Sequence, residues 1–210
     1  MEVSRLIAGK LPVTLTLAGL SLLLIIIFSI PIGILWGGTK SRFIDGALNV
    51  LSQFTMSVPS FFLGIIIIYL FGLIMRWFTP GGYISYKEDF RGYIRYMLFP
   101  AITVALPKAA MTAKFLRNSI ITQLKSDYVR TAYSKGARRM RVLFVHVLRN
   151  AMIPVVTFIG VIAAEIAAGS IVVEQVFGLP GIGRLLVSSI STRDYPVVQA
   201  LMLYIVFAVV

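Results

Sequence analysis

The sequence contains no cysteine and only one histidine in 210 residues. The absence of cysteine excludes disulfide frameworks, thiol catalysis and cysteine-bound zinc, and one histidine cannot build a histidine-rich metal centre. Charged residues make up 13% of the chain and hydrophobic residues 58%. Ordinary globular proteins have about 25% and roughly 45–50%. Because so little polar surface could not cover a water-soluble sphere, the composition predicts a membrane protein.

Long uncharged runs define the first two predicted membrane spans. No charge occurs between Lys10 and Lys40, nor between Asp45 and Arg76. A span needs about 20 apolar residues, so each run is long enough to cross a bilayer. Pro59 divides the second run, because the residue before a proline disfavours the helical region. We therefore expect residues 46–58 to be partly interfacial and residues 60–76 to form the deeply apolar span.

The remaining spans are shorter and alternate with polar segments. The predicted spans are 97–116, 151–177 and 197–210, separated by a polar aromatic loop at 77–96, a basic stretch at 117–149 and a short loop at 178–196. The sequence thus predicts an all-α, polytopic transmembrane helical bundle of about five spans. The last 14 residues are too few to cross alone, so we expect the last span to be truncated.

The distribution of basic residues predicts the orientation. Ten lysines and arginines lie from Lys108 to Arg149, opposed only by Asp127. Cytoplasmic loops carry an excess of lysine and arginine, so loop 117–150 is expected on the cytoplasmic side.

Within the basic stretch, residues 127–136 predict a short helix that Ser126 or Asp127 caps and Gly136 ends. A second helix is expected from about Arg138 to Arg149, and its lone His146 is interpreted as a packing or headgroup contact. The composition leaves three roles open: a topology-setting loop on anionic headgroups, a nucleic-acid patch, or a docking element for a cytoplasmic partner. The absence of an adjoining soluble domain argues against nucleic acid.

The segment from Asp127 to Pro154, DYVRTAYSKGARRMRVLFVHVLRNAMIP, resembles the cytoplasmic "EAA" loop of ABC importer permeases. Its form is similar to the dipeptide/oligopeptide/nickel branch, which favours R-T-A-x-x-K-G followed by H-x-L-R-N. Four further motifs resemble the same branch, in the same order along the chain: LPVTL from Leu11, SVPSF from Ser57, LFPAIT from Leu98 and VEQVFGLPGIGR from Val173. RDYP from Arg193 is a fifth. The family usually has six spans, so we expect this chain to lack the first and to end inside the last.

The resemblance implies a single MetI-like permease domain over 1–210, with a coupling loop at 117–150. The implied partners are a second homologous permease subunit, two ATP-binding-cassette ATPase subunits, an extracytoplasmic solute-binding protein and the lipid bilayer of a prokaryotic inner membrane. The implied contacts with the ATPase come from Tyr128, Arg130, Thr131, Ala132, Lys135 and Gly136. We expect that the chain is not an enzyme and that it has no catalytic and no metal-binding residue. We also expect it to bind no cofactor, because ATP and Mg would bind to the partner subunits.

Charges deep in predicted spans are costly and usually pair or face water. Glu165 is expected to pair with Lys108 or Lys114, or else to serve the transport pathway or a partner permease. The resemblance implies that the chain is the transmembrane permease subunit of an ATP-binding-cassette importer for dipeptides or oligopeptides, which forms the translocation path and couples to the ATPases through residues 127–150. Three alternatives to this function remain open. The cargo could be nickel or another small solute, Glu165 could carry the proton of a proton-coupled secondary transporter, or the chain could be a membrane anchor that transports nothing.

Overall fold

The computed structural model describes residues 3–168 and 170–209, and within these residues every regular element is a helix. This confirms the predicted all-α class. The helices are α1 (Val3–Gly38), α2 (Arg42–Ser57), α3 (Ser60–Ile67, continued by a π-helix, Ile68–Ile74), α4 (Phe90–Leu124), α5 (Asp127–Ser134), α6 (Arg139–Arg141, continued by a π-helix, Val142–Val147), α7 (Leu148–Ala167), α8 (Ile171–Phe177), α9 (Ile182–Ser191) and α10 (Tyr195–Val209).

Three continuous helical segments in the described part of the chain are long and apolar enough to cross a membrane. They are α1, α4 and the stretch Arg139–Ala167. Two further pairs of helices, α2 with the segment Ser60–Ile74 and α8 with α9, pass the same test of length and composition when each pair is taken as one broken span. The described residues therefore hold three to five candidate spans, and this number agrees with the prediction of about five. The predicted last span, which begins at residue 197, is not among them, because it lies in α10, a shorter apolar helix.

The first two spans lie where the uncharged runs predict them. α1 covers the whole interval between Lys10 and Gly38, and the turn at residues 39–41 leads into α2. The predicted break at Pro59 is also present, because α2 ends at Ser57 and α3 begins at Ser60. Pro59 itself has φ −60° and ψ 140°, which is extended backbone rather than helix.

The predicted limits of the third span are wrong. α4 begins at Phe90, inside the expected polar loop, and continues to Leu124, inside the expected basic stretch. Arg91 and Arg95 suggested a loop, yet Tyr93 and Met97 between and after them are buried. Charged residues in the first turns of a helix are compatible with burial of its opposite side.

The predicted fourth span and the loop after it are also wrong. α7 ends at Ala167 rather than at Phe177, and α8 is a separate helix. The predicted second cytoplasmic helix does not stop at Arg149, because the helical stretch from Arg139 runs on to Ala167. Residues 178–196 are not simply a loop, since they contain α9, which is bent by 89° from α8.

The chain forms two compact units. The first comprises Met1–Leu24, Val58–Leu106 and Ile162–Val210. Part of its core brings α9 and α10 together through Ile182 and Leu201, both fully buried. Residues near the start of α1 pack against this cluster.

The second unit comprises Ile25–Ser57 and Pro107–Val161. Here α1 approaches α4 closely because Gly33 and Gly37 lack side chains. A Cβ atom at either glycine would lie 2.9 Å from Leu116 or Ile120 of α4, closer than real Cβ contacts allow. Such glycine pairs, four residues apart, are typical of close contacts between membrane helices.

Candidate functional site

The short helix α5 begins after Ser126, which occupies the N-cap position, but the predicted capping hydrogen bond from its side chain is absent. Asp127 occupies its first turn, where a negative charge is favoured by the helix dipole. At its end Gly136 has φ +79°, in the left-handed region, and its amide donates to the Tyr133 carbonyl over 2.9 Å. The amide of Ala137 donates to the Ala132 carbonyl over 3.1 Å. Together these bonds form a Schellman motif, so Gly136 is the residue after the cap, as predicted.

One side of α5 is seated in the core of the second unit. Val129 is 1% exposed and packs in a cluster with residues of α4, the π-helix after α6, and α7. Tyr128 and Ala132 pack against the same cluster, and the Tyr128 hydroxyl donates to Gln123 Oε1 over 2.8 Å. Burying a valine side chain contributes about 1.5–3 kcal/mol. The buried members of the cluster are Leu116, Ile120, Val129, Val142, Leu143, Val147, Ala151 and Val155.

The other side of α5 is exposed. Its exposed residues are Asp127, Arg130, Thr131, Tyr133 and Ser134, and Lys135 and Gly136, which directly follow the helix, are exposed as well. Arg130 Nη1 lies 3.7 Å from Asp127 Oδ1, but both side chains are largely exposed, so this ion pair contributes little to stability. The surface is therefore open to a partner.

Val129 is a core contact of α5 that the sequence analysis did not single out. It is buried, whereas Tyr133 is 44% exposed. The signal available in the sequence was that Val129 is the one branched aliphatic residue in this helix.

The chain after α5 is anchored to α1. The guanidinium of Arg139 donates from Nη2 to the carbonyl of Gly38. His146, which the sequence predicts to be a packing or headgroup contact, is exposed and lines a shallow groove with Tyr128 and Arg149. Its role stays a prediction.

The charges predicted deep in the spans are distributed between the two units. Lys114, in the second unit, donates from Nζ to Gln53 Oε1 of α2 over 3.0 Å. Lys108 belongs to the second unit and Glu165 to the first. The proposed pairing of Glu165 with a lysine stays a prediction.

A buried carboxyl group that sequence reasoning missed lies in the first unit. Glu174 of α8 is 0% exposed, and its Oε1 accepts a hydrogen bond from the Thr14 hydroxyl of α1 over 2.7 Å. Its Oε2 accepts from the Arg184 amide of α9 over 3.0 Å. Thr14 Oγ1 in turn accepts from the Ile182 amide over 2.9 Å. One carboxyl group and one hydroxyl therefore hold the start of α9 against α1 and α8.

Two glycines make room for this carboxyl group. A Cβ atom at Gly181 would overlap the carboxyl group of Glu174, and one at Gly183 would lie 2.6 Å from Ile171 Cα. Gly178, with φ +67°, ends α8 in the left-handed region. The segment VEQVFGLPGIGR thus encodes the bend and its buried contact. The signal available in the sequence was the single glutamate followed by closely spaced glycines.

In residues 3–168 and 170–209, no three histidine, aspartate or glutamate side chains come together in a group that could hold a metal ion.

Comparison with known proteins gives one family and several relatives. Residues 29–210 match the family described as "Binding-protein-dependent transport system inner membrane component". The chain is 39% identical over 209 residues to a protein of Brucella abortus (strain 2308) named "Putative peptide transport system permease protein", covering 98% of this chain and 65% of the relative.

It is also 37% identical over 201 residues to the oligopeptide transport system permease protein AppB of Bacillus subtilis (strain 168), covering 95% of this chain and 64% of AppB. A third relative is the "Probable peptide ABC transporter permease protein" of Sinorhizobium fredii (strain NBRC 101917 / NGR234), with 36% identity over 205 residues, 98% of this chain and 66% of that protein. The chain thus spans about two thirds of the length of these relatives, or slightly less.

Proposed function

Because the chain belongs to the family of inner membrane components of binding-protein-dependent transport systems, we propose that it is a permease subunit of an ATP-binding-cassette importer for peptides. The observation that carries the proposal is α5. Its inner side is fixed by Val129, and its outer side presents Arg130, Thr131 and Lys135 to a partner. A seated helix with an open polar surface suits docking into a groove of another protein.

In this proposal, loop 117–150 faces the cytoplasm and two ATPase subunits bind α5. A second, similar permease completes the translocation path, and an extracytoplasmic binding protein delivers the cargo. ATP and Mg belong to the ATPase subunits. When these subunits close, α5 moves with them as part of a two-state change. Because Val129 is packed against residues of α4 and α7, a movement of α5 also displaces these two helices.

The choice of cargo rests on the relatives. The three similar proteins described above are all named for peptide or oligopeptide transport. This favours peptides over nickel or another small solute. Family membership likewise disfavours a proton-coupled secondary transporter, because transport that depends on a binding protein does not need Glu165 to carry a proton.

The first experiment is co-purification of the ATPase subunits with the full-length permease, comparing wild type with two variants at Gly136. A Cβ atom there would meet nothing within 4 Å, so the two variants differ in backbone strain rather than in clashes. Valine rarely adopts the φ of +79° that this position requires, whereas asparagine tolerates it. We expect wild type and Gly136→Asn to retain the ATPases and Gly136→Val to lose most of them.

Absence of the ATPases from the wild-type preparation would contradict the importer assignment. Equal binding by both Gly136 variants would move docking away from the end of α5. For the cargo, reconstituted vesicles should take up labelled peptides with ATP and should continue after the proton gradient has been collapsed. Uptake that stops with the gradient would support the secondary transporter instead.

A further inference from the structure

Three helices of the second unit meet at the side chain of Asp45 on α2. The indole Nε1 of Trp36, on α1, donates to Asp45 Oδ1 over 2.7 Å. From α4, the guanidinium of Arg117 donates to the same oxygen from Nε over 3.0 Å and from Nη2 over 2.6 Å. Three donors from two other helices therefore converge on one carboxylate oxygen, and we call these three residues the clamp.

The guanidinium of Arg117 is oriented by more than the carboxylate. Its central carbon lies 5.5 Å from the centroid of the Trp36 ring, within the range of a cation–π contact. Its Nη1 donates to the Asn118 side chain over 2.9 Å. The Arg117 and Asp45 side chains are 24% and 40% exposed, and ion pairs as exposed as this one add little stability. Because the ion pair adds little stability, we interpret the convergence of the Trp36, Asp45 and Arg117 side chains as a means of positioning the three helices.

A second polar contact joins the same two helices. Lys114 of α4 donates to Gln53 of α2 over 3.0 Å. Gln53 lies eight residues after Asp45, which is about 12 Å along a helix axis. On its other side α2 is open, since Phe43 is 84% exposed and Val50 is 71% exposed. Polar contacts at two separated points, rather than apolar packing all round, thus hold α2 to α4.

The helix that holds α2 also seats α5. Leu116 and Ile120 of α4 are fully buried in the cluster that contains Val129 of α5. Leu116 directly precedes Arg117, so the seat of α5 and the clamp share one turn of one helix. A turn of α-helix moves as a rigid piece, and a displacement of α5 passed to Leu116 therefore reaches Asp45 through Arg117.

We propose that Asp45 is a positioning residue: through Arg117 and Trp36 it makes α2 move together with α5 during the transport cycle. This inference rests on the proposed function, in which partner ATPases move α5. Disconnecting Asp45 should leave the ATPases docked and active while less of their motion reaches α2. The expected defect is therefore fewer peptides moved for each ATP hydrolysed, rather than loss of the complex.

The test uses the complete complex in lipid vesicles, with ATP hydrolysis and peptide uptake measured in the same preparation. Asp45→Asn and Arg117→Gln should each lower the ratio of uptake to hydrolysis by roughly two- to thirtyfold, the range found for residues that carry coupling. The double variant should lose no more than the worse single variant, because both changes break the same contact. Arg42→Gln, which removes an exposed cation from the same helix, should keep the wild-type ratio.

A milder variant tests whether a fall in the ratio could come from misfolding instead of from the loss of the clamp. Trp36→Phe removes the indole donor and keeps the ion pair, so we expect a smaller fall in the ratio. Unchanged ratios in the single variants of all three clamp residues, with wild-type uptake intact, would overturn the clamp and leave the proposed function standing. Additive losses in the double variant would also overturn it. If the wild-type complex shows no ATP-driven uptake, the proposed function fails and the clamp fails with it.

A distance measurement gives a second readout that a purely structural role would not move. Because the chain contains no cysteine, spin labels can be placed at Leu51→Cys on α2 and Met140→Cys on α6, which are 60% and 62% exposed. The label on α6 reports on α5, because the helix that continues α6 packs through Val142 and Leu143 in the same buried cluster as Val129 of α5. With Asp45 present, the label distance should be the same with and without ATP, since the helices move together. With Asp45→Asn, the distance should shift or broaden when ATP is added. A label distance that ATP leaves unchanged in both the wild-type protein and the Asp45→Asn variant would refute the inference.

Discussion

Gly181→Ala tests whether the buried contact of Glu174 holds α9 in place. Gly181 lies directly against the Glu174 carboxyl group, and an added Cβ atom would overlap it. Because the surrounding helix ends are packed, the carboxyl group has to move. Moving it breaks the hydrogen bonds from the Thr14 hydroxyl and from the Arg184 amide, which measure 2.7 and 3.0 Å.

The cost can be estimated from these contacts. A buried polar group that loses its partner costs about 1–3 kcal/mol, and overpacking a tight site costs another ~1–3 kcal/mol. Two lost bonds and one overpacked site together destabilise the fold by at least about 3 kcal/mol. For a chain of this length each kcal/mol lowers the melting temperature by roughly 2–4 °C, so Gly181→Ala should melt at least about 6 °C below wild type.

The assay is thermal unfolding of the purified permease in detergent, with Gly19→Ala as the matched control. Gly19 lies in α1, as Thr14 does, and a Cβ atom there would meet nothing within 4 Å. Alanine favours helix over glycine by about 0.5–1 kcal/mol, so this control should melt at or slightly above the wild-type temperature. If Gly181→Ala has the same melting temperature as Gly19→Ala, the buried carboxyl group does not hold α9, and our explanation of the segment VEQVFGLPGIGR is wrong.

Two further predictions concern α5 and the loop before α4. Val129→Ala should loosen α5 by about 2 kcal/mol, because it empties part of a buried site. Hydrogen exchange should then speed up across residues 127–136, and unchanged exchange would contradict the seating of α5. Burial raises the pKa of the Tyr83 phenol to about 12, with smaller contributions from Tyr93 and Tyr86. Its tyrosinate absorbance, obtained as the difference between wild type and Tyr83→Phe, should therefore appear near pH 12, and a transition near pH 10 would refute this burial.

The sequence predicts well whatever depends on neighbouring residues. Uncharged runs between Lys10 and Lys40 locate α1, because the bilayer sets a minimum length for a span. Pro59 marks the break before α3, since a proline restricts the residue before it. Gly136 marks the end of α5 because a left-handed turn favours glycine. In each case the physical cause lies within a few residues of its effect.

The failures come from contacts between distant residues. α9 follows a stretch rich in glycine and proline, and local propensity alone therefore predicts a loop there. What holds its first residues is Glu174 together with Thr14, which lies 160 residues before Glu174 in the chain. Both residues belong to motifs that the sequence analysis recognised, but nothing in either motif says that they meet.

The basic stretch shows the same limit and also what the structure adds. When basic residues are counted to predict orientation, every lysine and arginine counts equally as an indication of the cytoplasmic side. The structure separates them by their partners: Lys114 and Arg117 bind side chains of α2, and Arg139 binds the carbonyl at the end of α1. These three therefore hold helices together, whereas Arg130 of α5 and Lys135 directly after it are exposed, and Arg130 lies near only Asp127 of its own helix. A neutral substitution in the first group should change how motion passes through the spans, and one in the second should change only what binds α5.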